Sequence, residues 1–231
     1  MPAATKARTS WIWFVIGVVG VGVIAVLVTA AILNSDAAPS PSQSPSVGSP
    51  SATASPSASN SPIGIPTGCL GGEARDSRML VAAVAEAGHD SDGAVEVAAS
   101  FVRWIQRFPY PAADEALDVA ERVLATESFT DDLAQYLADE PDLSGGIVSM
   151  GQAYWMSTVP GVWHIESAAA DRVEVTVGTG FVIDGALSPT LRSSITVTLV
   201  WEEGGWKVAE ADGTRTTEEL YSIGERFDGG C

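Results

Sequence analysis

The apolar residues of the C-terminal two thirds of the chain follow first a helical and then a strand period. In the first part of this region they recur every three or four positions, which predicts amphipathic helices. The second and fourth of these helices are expected to stop before Pro109 and Pro141, because proline cannot continue a helix. The four predicted helices span residues 78–87 (capped by Asp76 or Ser77), 92–108, 112–126 and 130–139.

The second predicted helix carries a narrow polar stripe on an otherwise apolar surface. The stripe consists of Glu96, Ser100, Arg103 and Arg107, at steps of four, three and four residues. Because apolar side chains fill the remaining circumference, the helix is predicted to be mostly buried. The stripe is interpreted as a solvated or ion-paired face, with contact to a partner as the alternative.

The third and fourth predicted helices are amphipathic in a simpler way. The acidic face of the third is interpreted as solvated surface, with the docking of a partner as the alternative; it consists of Asp114, Asp118 and Glu121. Its apolar face consists of Leu117, Ala120 and Leu124. The fourth helix is predicted to bury Leu133, Tyr136 and Leu137.

After residue 150 the period of the apolar residues changes to two, which predicts half-buried antiparallel strands. The expected strands span residues 152–159, 162–167, 172–183, 194–201 and 206–210, with a turn at 202–205. Four tryptophans on these strands are predicted to belong to the core, namely Trp155, Trp163, Trp201 and Trp206. A last helix begins at a capping box formed by Thr216 and Glu219 and is predicted to bury Leu220, Ile223 and Phe227. Helices grouped before a curved antiparallel sheet predict an α+β fold with the helices on one face of the sheet.

Residues 11–33 form a run of 23 residues without a formal charge, long enough to cross a bilayer as a helix. Lys6 and Arg8 precede the run, and the next basic residue is Arg75. By the positive-inside rule, residues 1–10 are a cytoplasmic tail and the rest of the chain lies outside, which makes this a single-pass protein of the cell membrane. A signal peptide cleaved near Ala31 is the alternative, although its apolar region would be unusually long.

Residues 34–68 are predicted to be a disordered linker, and residues 69–231 the extracytoplasmic domain. Between residues 35 and 67 there are 11 serines and 7 prolines, with Asp36 as the only charge. Such a stretch holds too few apolar residues to offset the entropy lost on ordering.

The charge and the cysteine content of the domain limit the classes of function that it can have. The whole chain has a formal net charge of -17, and residues 69–231 hold 10 basic and 28 acidic residues, which argues against nucleic-acid binding. Cys69 and Cys231 lie at the two ends of the domain, and in an oxidising compartment they are predicted to form one disulfide. Pairing of Cys231 with another molecule is the alternative.

The domain resembles the cone-shaped NTF2-like superfamily. The resemblance rests on the helical first half, the long two-strand meander and the stretch Trp201-Glu-Glu-Gly-Gly-Trp-Lys-Val, and it covers roughly residues 92–212. An N-terminal membrane span before such a domain is similar to the VirB8-like accessory proteins of conjugation and type IV secretion, including those of Gram-positive bacteria. The resemblance implies a curved sheet around a pocket and a role in an envelope complex.

Few residues of the domain are candidates for catalysis or for ligand binding. Tyr154, His164 and Asp184 lie on or next to predicted strands and could line the mouth of a cone. Catalysis would need a carboxylate facing polarised hydrogen-bond donors inside an apolar pocket, and no spacing forces these three residues together. The two cysteines and two distant histidines form no recognisable metal site, and no cofactor motif is found.

The favoured hypothesis is a non-enzymatic assembly module that contacts other envelope proteins. The alternative is a pocket for a small apolar ligand or a cell-wall fragment. The sequence leaves open whether the chain forms homo-oligomers.

Overall fold

The computed structural model describes residues 64–140, 142–213 and 215–231. Within these residues no helix is long and apolar enough to cross a membrane. The predicted membrane segment, residues 11–33, and all but the last five residues of the predicted linker lie outside the described residues.

Five helices and six strands make up the described domain, in the order expected of an α+β fold. The helices are α1 (Ser77–Glu86), α2 (Ser91–Ile105), α3 (Ala113–Arg122), α4 (Leu133–Asp139) and α5 (Thr217–Ile223). The strands are β1 (Arg107–Phe108), β2 (Tyr154–Ala169), β3 (Arg172–Ile183), β4 (Ala186–Glu202), β5 (Gly205–Asp212) and β6 (Glu225–Arg226).

The strands form one strongly curled antiparallel sheet in the order β1-β2-β3-β4-β5, with β6 added beside β2. Two-residue turns connect β3 to β4 and β4 to β5. The first turn is Asp184-Gly185 and the second is Glu203-Gly204, and all four residues have positive φ. This is the type I′ geometry, whose twist matches that of a hairpin and which favours glycine at its second position.

The concave face of the sheet holds the core. Every second residue of β3, beginning with Val173, Val175 and Val177, is buried there against α2. Trp104 of α2 and Trp206 of β5 are both fully buried, and the indole N–H of Trp206 donates to Gly88 O at 2.8 Å. The expected core position is confirmed for Trp206 and Trp163, whereas Trp155 and Trp201 are only half-buried.

The helical predictions are confirmed in number and order but not in all bounds or faces. The second helix ends at Ile105 rather than near Pro109, because Arg107 and Phe108 pair with β2 as β1. α3 is rotated relative to the prediction: it buries Ala116 and Val119, while Leu117 is 63% exposed. Tyr136 of α4 is 38% exposed, whereas Leu133 and Leu137 are buried as predicted.

The strand predictions differ mainly where the alternation is interrupted. β3 has the predicted bounds, but β2 runs through Pro160 as one strand with a shifted register between Ser157 and Val162. β4 begins eight residues earlier than predicted. Its first part contains a wide bulge around Pro189, so that four residues of β4 stand opposite one residue of β3 and the alternation is lost.

One helix does not share the face of the others. A side chain at Gly178 would collide with Leu220 and Tyr221, so α5 lies on the convex face of the sheet, opposite α2. The expectation that all helices pack on one face is wrong for α5. Its capping box is present and Leu220 is buried as predicted, but Ile223 is 48% exposed because it points away from the sheet.

An ion pair joins the segment just before the N-terminus of α5 to β2. Arg215 donates through Nε to Glu166 at 2.7 Å and also through its terminal nitrogen, and Thr176 Oγ1 donates to the same carboxylate at 2.6 Å. The hydrogen bond from Arg215, followed by that from Thr176, lowers the pKa of Glu166 to about 2 against the opposing effect of burial.

The stability of the domain is expected to fall as the pH drops from about 5 towards 2. A carboxyl whose pKa is depressed on folding stabilises the protein above its unfolded pKa, near 4.5, and loses this contribution as it becomes protonated. Glu166→Gln should therefore cost about 1–2 kcal/mol at pH 7 and flatten this dependence, as measured by urea unfolding between pH 2 and 7. Glu218→Gln, on the exposed side of α5, serves as the matched control. Equal pH dependence in both variants would contradict the assignment.

Candidate functional site

The polar stripe of α2 is buried and binds the segment that enters the domain. Glu96 is 9% exposed, and its carboxylate accepts the N–H groups of Thr67, Gly68 and Leu70 at 2.5, 3.0 and 3.3 Å. The hydroxyl of Thr67 adds a fourth hydrogen bond at 2.8 Å. The interpretation as a solvated face is wrong for Glu96, because the carboxylate replaces water with backbone donors. Thr67 and Gly68, which the sequence places in the linker, are thus bound to the domain.

Arg103 completes this arrangement from the next turn of α2. Its guanidinium is fully buried and donates to the carbonyl groups of Gly68, Gly72 and Ala74 at 3.4, 2.8 and 3.0 Å. Burial, together with the nearby charge of Arg75, lowers the pKa of Arg103 to about 10. We call Glu96, Arg103 and the segment 66–74 that they bind the entry clamp.

Arg107, the last member of the predicted stripe, has a different role. It has left the helix and pairs with Glu115 of α3 at 2.7 Å. The same carboxylate accepts the indole N–H of Trp104 at 3.2 Å. The pair therefore joins β1 to α3 and takes no part in the entry clamp.

The predicted disulfide between Cys69 and Cys231 is present, with the two Cα atoms 5.5 Å apart. The last residue is also fixed by hydrogen bonds to β2. Its carbonyl oxygen accepts from Thr158 N at 2.9 Å and from Ser157 Oγ at 2.8 Å, while its N–H donates to Thr158 Oγ1 at 2.9 Å. Both ends of the domain therefore meet at the irregular part of β2.

The predicted acidic face on α3 is partly neutralised. Asp114 and Glu121 are exposed, whereas Asp118 is half-buried and accepts hydrogen bonds from Arg122 and Ser77. The hydrogen bond from Arg122, followed by that from Ser77, lowers the pKa of Asp118. The exposed Leu117 lies among these carboxylates.

The three predicted pocket residues do not form one site. Tyr154 is buried against Phe181, and burial raises the pKa of its phenol, which has no hydrogen-bond partner among the described residues. His164 lies ten residues further along β2, opposite Thr176. Asp184 is exposed in the β3–β4 turn, where its carboxylate accepts from Gln152 Nε2 at 2.7 Å. The Asp184-Gly185 pair is a hairpin-turn signal in the sequence, and it accounts for Asp184 without a pocket.

A cavity of about 230 Å³ opens between α2, α4 and the sheet. We call it the mouth cavity; its side chains are mainly apolar and include Phe101, Ile105, Phe129, Tyr136, Leu143, Ile195 and Ala211. Its volume lies below the range of about 300–1,000 Å³ that is typical of small-molecule sites. A small apolar molecule of one aromatic ring could fit, as in apolar cavities of comparable size.

A larger depression, of about 360 Å³, lies on the opposite side of the sheet. We call it the convex groove; it is lined by Thr158, Val159, Pro160, Gly161, Val162, Tyr221, Gly224, Arg226, Phe227 and Gly229. Tyr221 forms one wall, with its hydroxyl 3.3 Å from Pro160 O, and burial raises its pKa to about 12.

Glycines shape the convex groove and its surroundings. At Gly178 an added Cβ would lie 2.8–2.9 Å from side chains of Val162, Leu220 and Tyr221, so only glycine allows α5 this close to the sheet. At Gly180 a Cβ would lie 3.2 Å from Leu187 and 3.7 Å from Pro160. A strand glycine often marks such a close approach, and this is the signal in the sequence that could have indicated the groove.

Two arginines without an ion pair flank the convex groove. Arg226 lines it, is exposed and has no hydrogen-bond or ion-pair partner among the described residues. Arg192 lies opposite Gly180 and donates to backbone carbonyls of the β4 bulge. Neither arginine forms an ion pair within the described residues.

Comparison of the chain with family models, curated proteins and solved structures found no match in any of the three. The functional interpretation accordingly rests on the geometry. Within the described residues, no group of three or more His, Cys, Asp or Glu is placed to hold a metal ion. The absence of a cofactor and of enzymatic activity stay predictions.

Proposed function

We propose that the chain is a non-catalytic assembly module of the cell envelope. Residues 11–33 anchor it in the membrane, and the domain acts outside the cytoplasm by binding other envelope proteins. The convex groove carries the proposal, because it combines an open depression with exposed apolar side chains.

The position of the convex groove fits a tethered adaptor. Asp228 N, between two groove residues, donates to Pro66 O at 2.9 Å, so the linker joins the domain beside the groove. The disulfide and the entry clamp fix this junction rigidly. A partner held in the groove would therefore be linked mechanically to the membrane anchor.

The proposal includes the fold family and the type of complex. A curled antiparallel sheet around α2 and a final β4–β5 hairpin with the sequence Trp201-Glu-Glu-Gly-Gly-Trp support an NTF2-like cone. On this basis the chain acts like VirB8-like accessory proteins, within a conjugation-like or secretion-like envelope complex. Fold similarity alone does not define function, so the experiment addresses the complex directly.

Site-specific photo-cross-linking in intact cells tests the assembly role. A photoreactive amino acid at Val159, at the rim of the convex groove, is expected to capture another envelope protein, which mass spectrometry identifies. Met150 is 89% exposed in the loop before β2 and serves as the control position, from which no capture is expected. Capture from Leu117 instead would move the docking surface to the acidic face of α3. Absence of envelope proteins from all three positions would overturn the proposal.

Binding of a small apolar ligand in the mouth cavity is a second candidate function. The observation that supports this function is the cluster of aromatic side chains that line the mouth cavity, namely Phe101, Phe129 and Tyr136. Benzene at saturation is expected to raise the melting temperature of the protein, since a ligand that binds only the folded state stabilises it. Ala211→Leu, which fills the cavity, should abolish the shift, whereas Ala153→Leu at the exposed start of β2 should preserve it. An unchanged melting temperature with benzene would exclude this candidate.

A further inference from the structure

We propose that the convex groove binds an extended peptide segment in which an apolar side chain is followed or preceded by a carboxylate. The inference rests on the proposed assembly role and names the chemistry of the partner. It is carried by the shape of the groove, by the apolar residues at its rim and by two arginines that form no ion pair within the described residues.

The shape favours a narrow occupant. Backbone forms part of the groove, because Gly161, Gly224 and Gly229 contribute no side chains to it. Tyr221 supplies aromatic surface on which an aliphatic side chain can pack. The space of about 360 Å³ suits a few residues of an extended segment rather than a helix about 10 Å in diameter.

The rim of the convex groove is apolar where a folded monomer would normally be polar. Val159 is 47% exposed on the β2 side, and Leu187 is 45% exposed next to Gly180 and Pro160. Burial of these side chains by a partner would contribute favourably, at about 25 cal/mol for each Å² of apolar surface.

The charge of the groove selects the polar part of the partner. Arg226 pairs in register with Val162, which in turn pairs with Gly178, so its side chain starts on the convex face beside the groove. Arg192 pairs in register with Gly180, so its side chain also starts on the convex face. Arginine forms two parallel hydrogen bonds with a carboxylate, which gives both strength and orientation.

Because the protein has a large negative net charge, a preference for an acidic over a basic peptide is a strict test of a local binding site. At physiological salt the field of distant charges decays over about 8 Å, so the charged groups close to the groove decide the local potential. The formal charge of -17 by itself predicts that a basic peptide binds more tightly. A preference for an acidic peptide can therefore come only from a local site.

The test uses the full-length chain in detergent and two blocked tetrapeptides, acetyl-Glu-Leu-Leu-Glu-amide and acetyl-Lys-Leu-Leu-Lys-amide. Binding is measured by NMR titration of the backbone amides. The acidic peptide is expected to bind more tightly and to shift the amides of Val162 and Arg226. Arg226→Glu should weaken the acidic peptide by about tenfold and reverse the preference, while Arg226→Lys should retain part of the affinity.

Arg78→Glu is the matched control, since it makes the same charge change at an exposed position of α1. It should leave the affinities of both peptides unchanged, and melting curves establish that all variants are folded. Tighter binding of the basic peptide to the unchanged protein would overturn the inference, as would an equal effect of Arg78→Glu and Arg226→Glu.

Two further results would show that the groove binds something other than the proposed acidic peptide. If a peptide of residues 50–63 displaced the acidic peptide, the groove would bind the linker of its own chain. If sedimentation showed a dimer that Arg226→Glu dissociates, it would bind a second copy. Failure of the peptide test together with cross-linking from Val159 would leave the assembly role standing and overturn only the partner chemistry.

Discussion

Replacement of Arg103 by methionine is expected to destabilise the domain by about 3–5 kcal/mol, because each buried carbonyl group left without its charged donor costs about 1–3 kcal/mol. The variant would leave Gly72 O and Ala74 O without the hydrogen bonds that Arg103 donates. For a domain of this size the loss corresponds to a fall in melting temperature of about 10 °C. Thermal unfolding followed by circular dichroism measures it.

Arg78→Met is the appropriate control for this experiment. The side chain of Arg78 is 87% exposed in its ion pair with Asp76, so its replacement should change the stability by less than about 0.5 kcal/mol. Hydrogen exchange gives an independent measurement, because the amides of Gly68 and Leu70 should lose protection in Arg103→Met first. Equal stability of the two variants would show that the entry clamp is not a structural requirement.

Removal of the disulfide is expected to have an effect of similar size. The bridge closes a loop of 162 residues, and in the chain-entropy model such a long loop contributes about 5 kcal/mol by restricting the unfolded chain. Cys69→Ser combined with Cys231→Ser should lower the urea midpoint accordingly. The unchanged protein with a reducing agent should unfold at the same midpoint, and the double variant should not respond to the reducing agent.

The disulfide and the entry clamp act on the same short segment, so their effects should not be additive. Cys69 lies between Gly68 and Leu70, whose backbone amides bind Glu96. If residues 66–74 detach from the domain in Arg103→Met, Cys69 is no longer held in the folded structure. The disulfide then adds less to the stability of the variant than to that of the unchanged protein. The triple variant should therefore lose less stability than the sum of the two separate changes, as contacting sites usually do. Full additivity would mean that the two ends are fastened independently.

Local patterns in the sequence were sufficient for most elements. The period of two from Val173 to Ile183 corresponds to β3, and the capping box of Thr216 and Glu219 begins α5. These signals are readable because each concerns residues within one or two turns or one strand. Where the alternation stops, as at Pro160 in β2 and at Pro189 in β4, the bounds of the strands were wrong or incomplete.

The sites were much less predictable than the elements. The stripe of Glu96 and Arg103 was recognised, but its interpretation was wrong because the residues that it binds lie about 30 positions earlier. Tyr154, His164 and Asp184 were grouped by residue type. The register of β2 against β3 places His164 far from the other two, while Tyr154 is buried and Asp184 is exposed in the turn. The convex groove depends on Gly178 and Gly180, residues whose importance is visible only when α5 is placed over them.

The sequence by itself determined the α+β class, the order of the helices and strands, the turn between β4 and β5, and the pairing of the two cysteines. Each of these follows from spacing along the chain or from a choice with few alternatives. Only the tertiary structure decided that α5 packs on the convex face, that a charged stripe is buried and that the groove lies beside Tyr221. The physical reason is that the burial of a side chain and the close packing of two elements depend on residues far apart in the chain. The local sequence around a charged residue does not show which distant backbone groups it will bind.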